Sequence, residues 1–474
     1  MTNDLLHPYP SGNRLDGVAA PDSGIASVPL TPGNPLAGRS VRIVNMGCRV
    51  NRYDAARLRA EFLSSGCQVV EDDATPYDLF VLNSCTVTHQ ADADARKLAR
   101  RAKRRQPDAV VAVTGCYAEV SPEVLGAIDA IDLVVGNRDK GVLVERIAAR
   151  VAGGRPDTLP DTAAPARDWG ADLMFGSGEG PLPDPGTDSR FFLKVQEGCD
   201  VSCGFCIIPT ARGRARSMAP DEVVATVRRA RDAGYREVIL AGIHLGGYGH
   251  DLAEPCELTD LVERVLDETD TPRIRFGSIE PWGLTDRFVE LFGAEPRLLP
   301  FLHVPLQSGS ASVLRRMRRP CTPAFYRRQV ARMVSAKPDL FLSTDVMAGY
   351  PGESGAEFAE SVAFIESLPY AHLHVFPYSS RAGTPAAEAP EQVDDAVKRR
   401  RVGELIALSD TMKAARMDAQ VGRITHVLVE VAGRGHTDNN FPIDVAGDAA
   451  PGSIVPVRVT GHDGTRLSGA VRGA

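Results

Sequence analysis

The chain contains 474 residues, with a formal net charge of −7 at pH 7 and 43% hydrophobic residues. This length is sufficient for two or three domains with a sizeable core. The acidic balance excludes nucleic-acid binding through overall charge, so any contact with RNA requires local basic patches. No apolar run approaches the roughly 20 residues that span a bilayer, and no secretory signal is recognisable at the N-terminus. Nine cysteines, an odd number, favour metal ligands over disulfides, so a cytoplasmic protein without membrane segments is expected.

The N-terminal part begins with residues 1–39, which are rich in Pro, Gly, Ser and Asn. This composition predicts a disordered leader. Three short β-type runs then alternate with helical patterns, at residues 41–46, 79–82 and 109–113. The alternation predicts a parallel α/β sheet in a first domain of residues 40–151.

Three cysteines follow the three β-type runs: Cys48, Cys85 and Cys116. Ligands of parallel α/β sheets bind beyond the carboxyl ends of the strands, so these thiols are predicted to converge. Three unrelated core cysteines are the alternative, because free cysteine is often buried. Cys67 stands at the start of a strand instead, and we assign it to the core.

A basic helix and a linker complete the first half of the chain. Residues 96–105 include seven Lys or Arg in ten positions. This pattern is typical of a solvated helix face and equally of a phosphate-binding surface. Residues 152–188 are rich in Pro, Gly and Asp and are predicted to form a linker.

A cysteine loop opens the second domain, where a β-type run at residues 190–195 leads into Cys199, Cys203 and Cys206 at C-x3-C-x2-C spacing. Iron–sulfur clusters are held by cysteine thiolates, and a cubane with three local ligands keeps one iron open. Gly198 and Gly204 allow a short loop to wrap such a cluster. The alternatives are three scattered buried thiols, or a zinc site with a fourth ligand elsewhere.

Six strand-like runs with intervening helices follow over residues 189–420 and predict a partial (β/α)6 barrel, with its active site at the carboxyl ends of the strands. Polar residues and glycines collect at these ends. They are Gly242, Gly246, Gly247, Ser278, Glu280, Gln307, Ser308, Asp345 and Gly349. Each of them is individually compatible with ordinary turn chemistry, and their repetition at one end favours a ligand site.

The C-terminal part begins with a long helical pattern at residues 392–420, which includes the basic residues 398–401. Four short alternating runs follow, separated by Gly, Asp and Asn. These runs predict a small all-β barrel over residues 421–474.

Over about residues 41–472 the chain resembles the radical S-adenosylmethionine methylthiotransferases. The N-terminal cysteines match in the contexts Gly47-Cys48, Asn83-Ser84-Cys85 and Gly115-Cys116. The stretch at residues 197–217 resembles the radical loop and its continuation. Later matches are Ser278-Ile-Glu-Pro281, His303-Val-Pro-Leu-Gln-Ser-Gly-Ser310, Ser343-Thr-Asp-Val-Met-Ala-Gly-Tyr-Pro-Gly-Glu353 and Phe376-Pro-Tyr-Ser-Ser-Arg-Ala-Gly-Thr-Pro385. The C-terminal segment is placed like the RNA-binding TRAM barrel of the family.

The resemblance implies two 4Fe–4S clusters and S-adenosylmethionine as cofactors. Cys199, Cys203 and Cys206 would hold the radical cluster and act in catalysis. The second cluster, which carries the transferred sulfur, would be held by Cys48, Cys85 and Cys116. The implied candidates for binding S-adenosylmethionine are Gly246, Gly247, Glu280, Gln307 and Asp345. Arg212 and Arg216 are candidate contacts with substrate phosphate or carboxylate, and an alternative role is to fix the loop by ion pairs.

The family acts on isopentenyladenosine in tRNA, threonylcarbamoyladenosine in tRNA, or an aspartate of a ribosomal protein. Gly47-Cys-Arg-Val-Asn51 with Asn83-Ser-Cys-Thr-Val-Thr88 is most similar to the threonylcarbamoyladenosine branch. The expected partners are therefore a tRNA anticodon loop and an electron donor, and a monomer is expected. A non-catalytic RNA-binding zinc protein is the alternative of a different class.

Residues 435–440 lack the aromatic residues usual in the TRAM barrel. Positive charge for RNA binding is therefore expected from residues 96–105, 315–319 and 398–401.

Overall fold

The computed structural model describes residues 34–72, 74–153 and 189–472. The chain divides into two compact units. The first comprises Met1–Pro183 and Thr210–Arg212, and the second comprises Asp184–Pro209 and Gly213–Ala474. The predicted linker lies outside the described residues from position 154 to position 188.

The first unit contains a five-stranded sheet in the order β2-β1-β3-β4-β5, in which every strand pair is parallel. The strands are β1 (Ser40–Asn45), β2 (Gln68–Val70), β3 (Leu79–Ser84), β4 (Val110–Gly115) and β5 (Leu133–Val135). The helices are α1 (Arg49–Ser64), α2 (His89–Arg105), α3 (Cys116–Val120), α4 (Pro122–Gly126) and α5 (Leu143–Val151), with a 3-10 turn at Lys140–Val142. The predicted parallel α/β architecture is confirmed.

Alternate residues of the central strand supply the cores on the two faces of this sheet. Phe80 and Leu82 of β3 pack in one core with alanines of α2, which are Ala95, Ala99 and Ala102. Val81 packs in the other core with Leu58 and Phe62 of α1. This alternation follows from the two-residue period of a strand, and it is the reason that both helices flank the sheet.

Part of the predicted leader is ordered in the structure. Residues 34–39 were assigned to it, yet they form a turn in which Ala37 N donates to Asn34 O at 3.2 Å. Leu36 is 1% exposed and joins the core of the first unit. A single apolar anchor in a Pro- and Gly-rich segment gives no periodic signal, which explains the difference. Residues 1–33 lie outside the described part of the chain.

The second unit contains two three-stranded parallel sheets, in the orders β10-β9-β6 and β11-β12-β13. A parallel bridge between Ser278 and His303 connects β10 to β11, so the six strands form a partial barrel as predicted. The strands are β6 (Arg190–Lys194), β9 (Glu237–Ala241), β10 (Ile274–Phe276), β11 (Phe301–His303), β12 (Phe341–Ala348) and β13 (Tyr370–Pro377), with a small ladder of β7 (Gln196–Glu197) and β8 (Arg216–Ser217).

Helices follow most of these strands. They are α6 (Ile208–Arg212), α7 (Pro220–Asp232), α8 (Leu258–Glu268), α9 (Asp286–Ala294), α10 (Ala311–Arg316), α11 (Pro323–Ala336), α12 (Gly355–Glu366), α13 (Pro385–Glu388) and α14 (Asp395–Asp418). Two 3-10 turns, Leu245–Gly247 and Pro281–Gly283, lie at the carboxyl ends of β9 and β10. None of the helices in the described ranges is long and apolar enough to cross a membrane.

The C-terminal segment is a closed barrel in the order β14-β15-β16-β18-β17. Its strands are β14 (Ile424–Val431), β15 (Arg434–Thr437), β16 (Pro442–Ala446), β17 (Ile454–His462) and β18 (Leu467–Val471). The predicted all-β barrel is confirmed, but the sequence indicated four strands and missed β15. The four residues of β15 are Arg-Gly-His-Thr, of which only Thr437 favours strands by its own propensity.

The C-terminal barrel shares one hydrophobic core with strands β11 and β12 of the partial barrel. Phe341 of β12 contacts Phe441 with ring centroids 4.8 Å apart. Phe301 of β11 and Met417 of α14 belong to the same cluster of buried side chains as the barrel interior. The barrel and the strands that precede it belong to the same compact unit.

Candidate metal-cluster and cofactor sites

The first unit places three thiols at one edge of its sheet. Cys85 directly follows β3, Cys116 directly follows β4, and Cys48 stands three residues after β1 as the N-cap of α1. Since β1 and β4 both pair with β3, these are the carboxyl ends of three adjacent parallel strands. Burial raises the pKa of the Cys85 thiol to about 12, and the nearby Cys116 and Cys48 raise it as well. The structure therefore brings the three predicted ligands together.

Two glycines make this approach possible. Gly47 and Gly115 both have φ +95, in the region that favours glycine. A Cβ on Gly47 would lie 2.9 Å from Cys85 Cβ and 3.0 Å from Cys85 Sγ. A Cβ on Gly115 would lie 2.4 Å from the Ser84 carbonyl oxygen. Side chains at either position would push apart the turns that carry the cysteines.

Two nitrogen donors reach the sulfur of Cys116 within the first unit. Arg212 Nε lies 3.2 Å from Cys116 Sγ, and Asn137 Nδ2 lies 3.6 Å from it. Arg212 is 1% exposed, and its Nη2 donates to Asn51 Oδ1. The sequence offered a substrate contact or an ion pair within the loop for Arg212, and the structure places its guanidinium at Cys116. Arg216 is half-buried in the β7–β8 ladder opposite Glu197.

The second unit places Cys199, Cys203 and Cys206 in the loop between β7 and α6. Burial raises the pKa of Cys199 to about 12, and Glu280 and the other two thiols also raise it. Burial raises the pKa of Cys206 to about 11. Val201 N donates to Cys199 Sγ at 3.4 Å.

Two glycines allow this loop to pass close to neighbouring atoms. Gly198 has φ +70, and a Cβ there would lie 1.9 Å from the Arg214 carbonyl oxygen. A Cβ on Gly204 would lie 2.9 Å from Tyr350 Oη. The backbone of Gly204 also donates to the Met317 carbonyl at 2.9 Å. The loop is thus held close to the end of α10.

Both cysteine sets fit an iron–sulfur cluster better than a zinc ion. Each set offers three thiols that influence one another electrostatically. Zinc ligands lie close together, because Zn–S bonds are about 2.3 Å long and structural sites have four ligands. A cluster separates its ligand sulfurs more widely, since each binds a different iron.

Four of the five predicted cofactor residues form two pairs at the carboxyl end of the partial barrel. Gly246 N donates to Glu280 Oε2 at 3.3 Å. Burial raises the pKa of Glu280 to about 7, although Arg319 and the hydrogen bond from Gly246 act in the opposite direction. Gly247 lies one residue further on, where a Cβ would meet the ring of His244 at 2.8 Å.

The second pair joins Gln307 and Asp345. Gln307 N donates to the Asp345 carbonyl at 2.8 Å, and Gln307 adopts φ 77, a strained value for a non-glycine residue. Its buried Oε1 has no hydrogen-bond partner among the described residues. Burial opposes ionisation of Asp345, but His303 at 3.3 Å holds its pKa below the usual value.

Arg319 is a site residue that the sequence identified only as part of a basic run. Its Nη1 lies 3.7 Å from Cys203 Sγ, and its Nη2 donates to the Pro305 carbonyl at 2.9 Å. The guanidinium lies 5.0 Å from the ring centroid of Trp282. Its Nε is buried without a hydrogen-bond partner among the described residues. No sequence pattern links positions 203 and 319, because tertiary packing alone brings them together.

Comparison with known proteins shows the family of this chain. The model described as uncharacterized protein family UPF0004 matches residues 40–136, and that of the radical SAM superfamily matches residues 193–365. The threonylcarbamoyladenosine tRNA methylthiotransferase of Bacillus subtilis is 37% identical, with 89% of this chain and 93% of the relative covered. The chain belongs to the radical S-adenosylmethionine methylthiotransferase family.

Other members of the family are also similar. The threonylcarbamoyladenosine tRNA methylthiotransferase of Aquifex aeolicus is 33% identical over 88% of this chain and 100% of the relative. The tRNA-2-methylthio-N(6)-dimethylallyladenosine synthase of Cereibacter sphaeroides is 33% identical over 92% of this chain and 99% of the relative.

Among solved structures, the radical S-adenosylmethionine methyltransferase TsrM from Kitasatospora setae aligns with a TM-score of 0.51. The sequence identity is 16%, and 74% of each chain is covered. This likeness confirms the fold.

Proposed function

We propose that this methylthiotransferase inserts a methylthio group at C2 of threonylcarbamoyladenosine 37 in tRNA. The observation that carries the proposal is the 37% identity over 89% of the chain to the B. subtilis enzyme of that activity. The motif around Cys48, Gly47-Cys-Arg-Val-Asn51, supports the same branch. The dimethylallyladenosine branch is the second candidate, because its C. sphaeroides member is 33% identical over 92% of this chain. An aspartate of a ribosomal protein is the third.

Membership of the radical SAM superfamily implies an iron–sulfur cluster and S-adenosylmethionine. The proposal assigns this cluster to Cys199, Cys203 and Cys206 and adds a second one at Cys48, Cys85 and Cys116. When bound, these groups supply one-electron cleavage of S-adenosylmethionine and delivery of sulfur. A separate electron donor, a monomeric enzyme and a cytoplasmic location complete the proposal.

Residues of the partial barrel bind and orient S-adenosylmethionine in this proposal. The carboxylate of Glu280 accepts hydrogen bonds from the cationic amino group, which favours the ionised form of this buried acid. Arg319 donates to the carboxylate group of the ligand through its unpartnered Nε. Gln307 accepts through its unpartnered Oε1. The Arg319 and Gln307 assignments each satisfy a buried polar atom that the described residues leave without a hydrogen-bond partner.

The basic helix α2 supplies a surface for tRNA phosphates in this proposal. Its buried side consists of four alanines and Asp92, and it presents five exposed cations, which are Lys97, Arg100, Arg101, Arg104 and Arg105. Phosphate contacts of this kind position the RNA without reading its sequence. Adenosine 37 is unpaired in the anticodon loop, so its base is accessible to a buried site at low cost.

Two experiments test the proposal. Nucleosides of tRNA from strains with and without this protein are compared by mass spectrometry. Loss of 2-methylthio-threonylcarbamoyladenosine supports it, whereas loss of the dimethylallyl derivative identifies the second candidate. Unchanged tRNA contradicts both. Iron is then measured after anaerobic reconstitution, where two cubanes give about eight irons per chain. The triple Ala variant of Cys48, Cys85 and Cys116 is expected to lose half, and zinc in place of iron contradicts the cluster assignment.

A further inference from the structure

Arg212 makes a direct contact with one of the cysteines of the first unit. Thr210–Arg212 belongs to that unit. The guanidinium Nε donates to Cys116 Sγ at 3.2 Å, and the residue is 1% exposed. A hydrogen bond from a charged donor is stronger than one from a neutral donor, particularly where water is excluded. The sulfur of Cys116 is therefore under the influence of a fixed positive group.

A buried set of side chains fixes this guanidinium. Its Nη2 donates to Asn51 Oδ1 and lies 3.5 Å from Asp54 Oδ2. Asp54 also accepts from Lys140 Nζ at 2.9 Å. Asn51, Asp54 and Lys140 are 1%, 3% and 5% exposed. A buried cation is costly unless it is paired and hydrogen-bonded, so these contacts are what allows Arg212 to remain at the thiol.

The neighbouring amide adds a second donor to the same sulfur. Asn137 Nδ2 lies 3.6 Å from Cys116 Sγ and donates to the Ala211 carbonyl at 2.7 Å. The carbonyl next to Arg212 thus anchors the amide that also faces Cys116. Hydrogen bonds to ligand sulfurs and local charge are main determinants of the reduction potential of an iron–sulfur cluster.

We propose that Arg212 is a positioning residue that raises the reduction potential of the cluster at Cys48, Cys85 and Cys116. This inference rests on the proposed function, because it requires that second cluster. Reduction adds negative charge to the cluster, and a charged N–H donor at a ligand sulfur stabilises the more negative state. Arg212 thus acts through Cys116, in place of the substrate contact that its sequence position indicated.

The test isolates the second cluster in the full chain. The C199A/C203A/C206A variant removes the ligands of the radical cluster, and the protein is reconstituted anaerobically with iron and sulfide. Iron content is measured first. A potentiometric titration followed by electron paramagnetic resonance then gives the midpoint potential. The same measurements are made with Arg212→Gln, Arg212→Lys and a control, Arg214→Gln, whose side chain is 90% exposed and pairs with Asp200 at 3.2 Å.

We expect Arg212→Gln to shift the midpoint potential to more negative values at unchanged iron content. Arg212→Lys keeps the charge but not the Nε geometry, so it shifts less, and Arg214→Gln does not shift. Equal potentials in the parent and both Arg212 variants overturn the inference. If Arg212→Gln loses iron, the test rests on the midpoint potential of Arg212→Lys. A potential equal to that of the parent then overturns the inference. If the C199A/C203A/C206A parent binds no iron, the second cluster is contradicted, and so is the inference that depends on it.

Discussion

Replacement of Glu237 by Gln tests the buried ion cluster beneath the C-terminal barrel. Glu237 is 0% exposed and accepts from Arg275 Nε at 2.7 Å and from Arg273 Nε at 2.9 Å. Both arginines continue into the barrel, where Arg273 pairs with Asp438 and Arg275 donates to the Thr437 carbonyl at 2.9 Å. The carboxylate thus balances the two cations that join β10 to the barrel.

The expected loss of stability follows from these contacts. Removing one partner of a buried ion pair typically costs about 3–5 kcal/mol. Gln keeps one neutral acceptor, and Asp438 still faces Arg273, so we expect the lower end, about 3 kcal/mol. Burial opposes ionisation of Glu237, but Arg275 and Arg273 hold its pKa far below the usual value. Its contribution is therefore present at neutral pH and decreases only below the unfolded pKa of about 4.3.

Urea unfolding followed by circular dichroism measures this loss. The matched control is Glu263→Gln, which removes an exposed pair with Arg287 and is expected to cost less than about 1 kcal/mol. Equal midpoints for Glu237→Gln and Glu263→Gln at pH 7 would refute the reasoning. A difference that persists unchanged well below pH 4 would refute its electrostatic part.

Three further predictions concern the sites. Burial raises the pKa of Glu280 from 4.5 to about 7, so its contribution to stability is present below pH 4.5 and is lost as the pH rises through about 7. Glu280→Gln removes this dependence in melting curves without S-adenosylmethionine, and an unchanged profile contradicts the assignment. Gly47→Ala places a Cβ 2.9 Å from Cys85 Cβ, and we expect it to lose about half the reconstituted iron. Gly38→Ala, at φ +74 in open space, is the control and should keep it. Arg100→Glu on α2 is expected to weaken tRNA binding about tenfold and flatten its salt dependence. An unchanged salt slope would exclude α2 from the interface.

The sequence was sufficient for elements whose residues repeat a pattern. The runs before Cys48, Cys85 and Cys116 are apolar and β-branched, and they form β1, β3 and β4. Because these strands are adjacent and parallel, the three thiols lie at one edge of the sheet. A parallel α/β sheet makes that outcome predictable from strand ends alone.

Contacts between distant segments were not predictable in the same way. Arg319 approaches Cys203 across 116 positions, and Arg212 approaches Cys116 across 96 positions. The sequence identified Arg212 only as a substrate contact or an ion-pair residue of the loop, and Arg319 only as a member of a basic run. Strand β15 was missed because its pairing with β14 and β16, rather than its own composition, holds it extended. The positions of Arg319 and Arg212 and the pairing of β15 all depend on which segments pack together in the fold. The local sequence therefore did not predict them.

The most direct test of the central claim uses the purified protein, reconstituted under anaerobic conditions. It is incubated with S-adenosylmethionine, a chemical reductant and tRNA that carries threonylcarbamoyladenosine at position 37. A parallel reaction contains tRNA with dimethylallyladenosine at that position. We predict that mass spectrometry of the nucleosides detects the 2-methylthio product in the first reaction and little in the second. Product in the second reaction alone, or in neither while both clusters are present, would contradict the account.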